Sequence, residues 1–324
     1  MAVYSKSRSQ LLYDIETTFG SDPAVAAAIS LPIVTVPDLK ITQDPIQSPA
    51  LGGANRNPRI PMFGDMNSNC GLTFMMELTA IGHLLKSLLG SPSTVNNGDG
   101  TYTHTFKIGN TISSFLLDKG FTDGNLFYKY NGLVSNGLSF SAAPGDSGIN
   151  YTLNILGGGY ETKDTSAYDA APSDLSRPSS WVFKPDITLT EGGSSNDAIT
   201  DFSLDFSSSV ELIQGLNGAG KATGYTVSSP QVSGTIRSSF NGDTLLLKGR
   251  NHTESSLAIT FTDSVQSPNH SLVITLPEIK YGQANPEIDG PGIAYFTQAW
   301  ISYYQDNADE TALKMVLTNA TASY

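Results

Sequence analysis

The chain has 324 residues, only 15% of them charged, with 31 glycines, a single cysteine and a formal net charge of −12. That length admits two domains of ordinary size or one large β domain. The acidic balance disfavours a partner held through its phosphates, and the lone Cys70 excludes an intrachain disulfide and a cysteine-based zinc site.

Sparse charge leaves a polar, weakly charged surface, which suits a protein whose faces are covered by neighbouring copies and suits secreted β proteins equally well. The first stretch, "MAVYSKSRSQLLYDIETTFG", has no apolar signal core, and nowhere do 18 apolar residues run together, so neither classical secretion nor a membrane span is expected. A short helix followed by the small-residue segment "GSDPAVAAAISLPIV" makes residues 1–33 an N-terminal arm, too weakly patterned to build a core alone.

After the arm, period-two alternation dominates. Phe202, Leu204 and Phe206 face one way and Ser203, Asp205 and Ser207 the other; Ile149, Tyr151, Leu153 and Ile155 follow the same rule. These are half-buried antiparallel strands. Residues 34–160 form the first β domain. It opens on the strand pattern "LKITQ" and the glycine loop "LGGANRN", and continues through the strand "CGLTFMMEL". The one good helix follows, "ELTAIGHLLKSLLG", with Leu78, Ile81, Leu85, Leu88 and Leu89 on one side and Gly90 as its stop. A hairpin turn at Asp99 and Gly100 leads into "YTHTFKIG", "SSFLLDKG", "LFYKYNGLVSNGLSFSA" and "INYTLNILG". Residues 161–185, rich in Ser, Asp, Ala and Pro and without period, read as a linker. Residues 186–324 form the second β domain: "FSLDFSSSVEL", the glycine loop "LNGAGKA", "VSGTIRSSF", a shorter helical "DTLLLKG", then "SLAITFTD", "HSLVITLPEI", "IAYFTQAWISYY" and "LKMVLTNAT".

The two halves share an order of elements, which makes an internal duplication a candidate. Gly71 then falls opposite Gly234, Leu84, Leu85 and Lys86 opposite Leu246, Leu247 and Lys248, and Lys221 opposite Arg56. This bears on "GLNGAGKAT", residues 215–223, which imitates a phosphate-binding loop. Ala222 stands where a Mg²⁺-ligating Ser or Thr is needed, and no helix can start nearby, so an inter-strand loop is expected.

His83, His104, His252 and His270 show no metal-ligand spacing. The segment "NNGDGTYTH" lacks the acidic spacing of a calcium loop, and no nucleophile elbow or carboxylate pair can be singled out. The sequons at Asn150, Asn251, Asn269 and Asn319 read as accidents of an Asn/Ser/Thr-rich chain, and Trp181 and Trp300 as core or interface anchors. No catalytic, metal-ligating or cofactor-binding residue is assigned, and no cofactor is expected.

The order of "HLLKSLLG", "HTFKIGNTISSFLLDKGF…LFYKYNGLVSNGLSFS", "VSGTIRSSFNGDTLLL" and "SLVITLPEIKYG" to "DGPGIAYF" resembles the tail tube proteins of long-tailed phages over about residues 15–324. The resemblance implies a mainly β chain of two tandem antiparallel β-barrel or sandwich domains, each with a short flanking helix. It implies a structural virion protein rather than an enzyme, assembled in the host cytoplasm into stacked rings that form the conduit for DNA ejection. The implied partners are further copies of itself, tail terminator and tail tip proteins, and a tape measure protein in the lumen, with duplex DNA passing unbound and no membrane contact. Ordinary members carry one such domain and form six-membered rings; two domains here would give trimeric, pseudo-hexameric rings. The alternative is a cell-surface adhesin or other non-enzymatic β-rich binding module.

Overall fold

The computed structural model describes residues 4–35, 39–47, 60–143, 148–176, 181–182, 186–216, 218–288 and 290–324. In chain order its first elements are β1 (Ser9–Ile15), β2 (Ile29–Ser30), β3 (Ile33–Thr35), β4 (Thr42–Ile46) and β5 (Met62–Met75). Helix α1 (Ile81–Leu89) follows, then β6 (Ser93–Asn96), β7 (Tyr102–Lys107), β8 (Phe115–Phe121), β9 (Leu126–Ala142), β10 (Asn150–Asp164) and β11 (Ser173–Asp174). The remainder comprises β12 (Ile187–Glu191), β13 (Ser194–Ser195), β14 (Ile199–Ser207), β15 (Val210–Gln214), β16 (Ala222–Val227), β17 (Gln231–Ser239), α2 (Thr244–Arg250), β18 (Glu254–Asp263), β19 (His270–Tyr281), β20 (Tyr295–Ser302) and β21 (Lys314–Asn319).

The fold is mainly β, and its antiparallel sheets pack as a sandwich rather than closing into a barrel. The reason lies in β9 and β19, long strands that bend at bulges and change partners along their length. The first part of β9 pairs with β8 and its last part with β14, while β10 runs along its other edge. Likewise β19 has β18 on one side, with β21 and then β20 on the other.

One order of pairings recurs. The contacts β1–β8, β8–β9, β9–β10, β10–β5 and β5–β3 are matched by β12–β18, β18–β19, β19–β20, β20–β17 and β17–β14. In both series a helix follows the strand that stands fifth in this order, α1 after β5 and α2 after β17. The series meet at two antiparallel junctions, β9 with β14 and β7 with β21. Their inward residues merge in one core: Phe140 lies against Phe202 and Phe261, and Phe202 stacks on Trp300 with centroids 5.7 Å apart.

Several sequence expectations change. The helix of the N-terminal arm is only the single 3-10 turn Lys6–Arg8, and the strand β1 follows it at once, paired along its whole length with β8, with Leu11, Leu12 and Tyr13 buried. Three consecutive apolar residues bury on both faces because other layers cover them. The pattern "LKITQ" becomes strand only from Thr42, and the loop "LGGANRN" lies outside the described residues. Residues 161–164 of the expected linker extend β10, and β11 within it pairs in parallel with β2. Gly71 and Gly234 do not share a face. A Cβ on Gly71 would meet the outward Thr152 and Asn154, whereas one on Gly234 would strike the buried Trp300, so Leu72 is the residue placed like Gly234.

Helix α1 buries more than its expected stripe, since Leu84, Gly82 and Ser87 are also enclosed between β7, β9 and the C-terminal Tyr324. Its start is held by Glu77, whose carboxylate accepts from the backbone N–H of Thr79 at 2.8 Å and Ile81 at 3.0 Å. Burial pushes this carboxyl from its ordinary 4.5 up to about 7, against the pull of those N–H groups, which favour the ion. A raised carboxyl contributes stability that is complete below its unfolded pKa and is lost as pH climbs through its folded one. Raising pH from 4.5 through 7 should therefore cost the wild type on the order of 3 kcal/mol through this group. Glu77→Gln should flatten that part of the slope in urea melts at several pH values; identical slopes would refute the assignment.

Candidate assembly surface

The alternation that buries one side of each strand defines what stands on the other. Across the β9–β14 junction, β5, β10, β9, β14, β17 and β20 lie side by side. Their registers align outward residues into rows. One row is Thr73, Thr152, Ser139, Asp205, Ser233 and Ile301. The next is Met75, Asn150, Ser141, Ser203, Thr235 and Ala299, with Asn150 and Ser141 each one residue beyond the Tyr151–Phe140 pair of β10 and β9.

At about 4.8 Å per strand this face is roughly 24 Å wide and spans both halves of the chain. Its side chains are hydroxyls, amides and small apolar groups, and they bond to one another: Thr73 with Thr152 at 3.2 Å, Ser203 with Thr235 at 2.9 Å. Around these rows the charges are Asp205 and the pair Asp201 and Arg237, 4.0 Å apart, with the Arg237 guanidinium 4.2 Å above the Tyr295 ring. A polyanion passing over this surface meets no row of cations.

A second feature is the hairpin of β4 with the first part of β5. It leans on the β15–β16 loop through a 2.6 Å bond from Met66 N–H to the Gly220 carbonyl. It presents Ile46, Ile60, Met62 and Phe63 to solvent, Ile60 at 89% exposure. Exposed apolar groups gathered on one strand pair mark a contact surface.

The residues singled out in sequence fall elsewhere. The loop of Lys221 joins β15 to β16 with no helix after it, Ala222 is buried, and the Lys221 ammonium lies 4.8 Å above the Tyr160 ring. Lys221→Ala should leave any thermal shift with Mg-ATP unchanged, and micromolar ATP binding abolished by this change would overturn that expectation. His83 and His104, far apart in sequence, both pack edge-on against Tyr324, with centroids 4.8 and 4.7 Å away. Among the described residues no three His, Cys, Asp or Glu gather to hold a metal. Asn319 is buried and donates to the Leu78 carbonyl, and Asp99 caps the turn to Thr101. The outward Ser/Thr/Asn rows were missed as a unit, because their alignment depends on which strands become neighbours.

A β-sandwich with a wide sheet face that carries few charges and a strand pair that exposes apolar side chains offers surfaces of the kind that structural, self-associating proteins use. The model of the phage tail tube protein family matches residues 6–300, through both halves and the segment between them, and the chain belongs to that family. Its role is accordingly structural, in the virion tail. No curated protein sequence matches it significantly.

Proposed function

We propose that this chain polymerises as stacked rings whose lumen is the conduit for DNA ejection, and that the six-stranded polar face lines that lumen. The observation that carries the reading is the face itself, continuous across both halves and nearly free of charge. Duplex DNA carries one negative charge per ~1.7 Å of axis, so a basic wall would retain it, whereas a lattice of hydroxyls and amides lets it slide.

Each half of the chain acts as one sector of the ring, the domains being residues 34–160 and 186–324 with 161–185 between them. The recurring order of strand pairings supports two sectors and adds β1, from the arm, to the first of them. Three chains then close a ring of six sectors. The exposed apolar hairpin of β4 and β5 meets the next ring in the stack, burying Ile60, Met62 and Phe63. Tail terminator and tail tip proteins cap the two ends, and a tape measure protein occupies the lumen before DNA does; assembly takes place in the host cytoplasm.

Negative-stain microscopy of the purified protein at high concentration tests the proposal. Tubes whose end-on averages show threefold symmetry with sixfold pseudo-symmetry are expected. Six equal protomers per ring, each a full chain, would show that the halves are not paired sectors; a protein that stays monomeric would overturn the tube itself.

A further inference from the structure

The junction of β9 with β14 joins the two repeated sets of pairings inside one chain, and the same repetition assigns each half one edge without its counterpart. Strand β14 lies between β17 and β9. In the first half its place is taken by β3, which pairs with β5 and with no other strand among the described residues. The last part of β9 corresponds in the second half to the residues that continue β19 past Tyr281. Residues 282–287 run on along β20, tied by Gly282 N–H to the Ala299 carbonyl at 2.8 Å and Glu287 N–H to the Tyr295 carbonyl at 3.1 Å. Among the described residues no strand covers their other side.

Both edges are exposed. Val34 is 50% and Ile288 95% accessible, and Thr35, Gln283 and Asn285 are exposed as well. An exposed edge offers unpaired N–H and C=O groups to a second strand.

We infer that residues 282–287 of one copy lie against β3 of the next, reproducing between chains the β9–β14 junction that exists within the chain; this rests on the ring proposed above. The registers set the alignment. Phe202 pairs with Ala142 and Ile236, and Ile33 with Phe74. Since Leu72 is placed like Gly234, Phe74 is placed like Ile236 and Ile33 like Phe202. On the other edge Tyr281 faces Trp300 as Leu138 faces Leu153, which carries Ala142 onto Asn285. Ile33 therefore comes opposite Asn285 of the adjoining copy, and Thr35, which the bulge after Ile33 sets against Thr73, comes opposite Ala284. The contact is heterologous, one edge against a different edge, so it propagates around a ring and cannot terminate in an isolated pair.

Residues opposite one another in antiparallel strands have Cα atoms ~4.5–5.5 Å apart, within disulfide range. The test is oxidation of assembled Thr35→Cys/Ala284→Cys protein in a Cys70→Ser background, with Thr35→Cys/Gln283→Cys to cover a one-residue slip. Ser141→Cys/Ser203→Cys, a pair the structure places opposite within one chain, calibrates the chemistry. Either intermolecular pair should give a non-reducing gel ladder that stops at three chains. Assembled rings that stay uncrosslinked with both pairs, while the internal pair oxidises, would overturn the edge assignment and leave the tube standing. A ladder passing three chains would keep the edges and overturn the three-chain ring. Failure of the Cys70→Ser protein to assemble at all, matched by the wild type, would remove the tube proposal and the edge contact with it.

Discussion

Trp300→Ala should destabilise the fold by about 4 kcal/mol, because emptying a fully buried tryptophan site loses its transfer energy and leaves a cavity. Trp300 is 1% exposed, stacks on Phe202 at 5.7 Å and lies beneath the polar face, where Gly234 carries no side chain to meet it. The loss is a large share of the 5–15 kcal/mol typical of native proteins, so little protein should remain soluble and none should assemble. Trp300→Phe keeps an aromatic partner for Phe202 and should retain assembly with a smaller drop. Urea melts decide the matter: an alanine variant within about 1 kcal/mol of wild type would show that Trp300 is not the keystone of the second half.

Wild-type tubes should not bind duplex DNA near physiological salt, and three substitutions on the polar face, Ser139→Lys, Ser203→Lys and Thr235→Lys, should make them bind it. The three residues stand on β9, β14 and β17, with Ser203 opposite Thr235 and outward like Ser139. Lysine there adds three positive charges per chain on exposed strand positions, with little effect on the fold. If Z phosphates are neutralised, the logarithm of affinity should fall with the logarithm of salt at a slope of about 0.9Z. Tubes carrying these changes should retard linear DNA at micromolar protein at low salt and release it as salt rises. Retardation by wild-type tubes, or none by the lysine tubes, would count against a lumen lined by this face. The same lysines placed at Thr226 and Glu211, on the separate β15–β16 hairpin, control for charge alone.

Period two exposed β7, β17, β18, β19 and β21 in the sequence, because each has one wetter face and one dry face, and the residues print that difference directly; β8 and the middle of β9, buried on both faces, are legible by their apolar and aromatic content instead. Strand β1 was misread for the opposite reason: Leu11, Leu12 and Tyr13 are all buried, so no alternation survives. The missing phosphate-loop chemistry at Ala222 was legible from one residue type, since a methyl group cannot ligate a metal. The polar face was legible only strand by strand. Ser203, Asp205 and Ser207 announce an outward side, but nothing local says that β14 will lie beside β9, a strand whose last residue is 60 positions before Phe202.

By itself, then, the sequence determined the β character, the inward and outward residue of many strands, the helix before Gly90 and the inter-strand place of the Lys221 loop. These are properties of adjacent residues, written in spacing and side-chain type. Only the tertiary structure decided that the sheets form a sandwich instead of a barrel, that the N-terminal segment belongs to the core, and which strand edges are left without partners. Those outcomes depend on pairings between residues distant in the chain, and strand pairing is set by the packing of whole faces against one another, a collective property that no single segment carries.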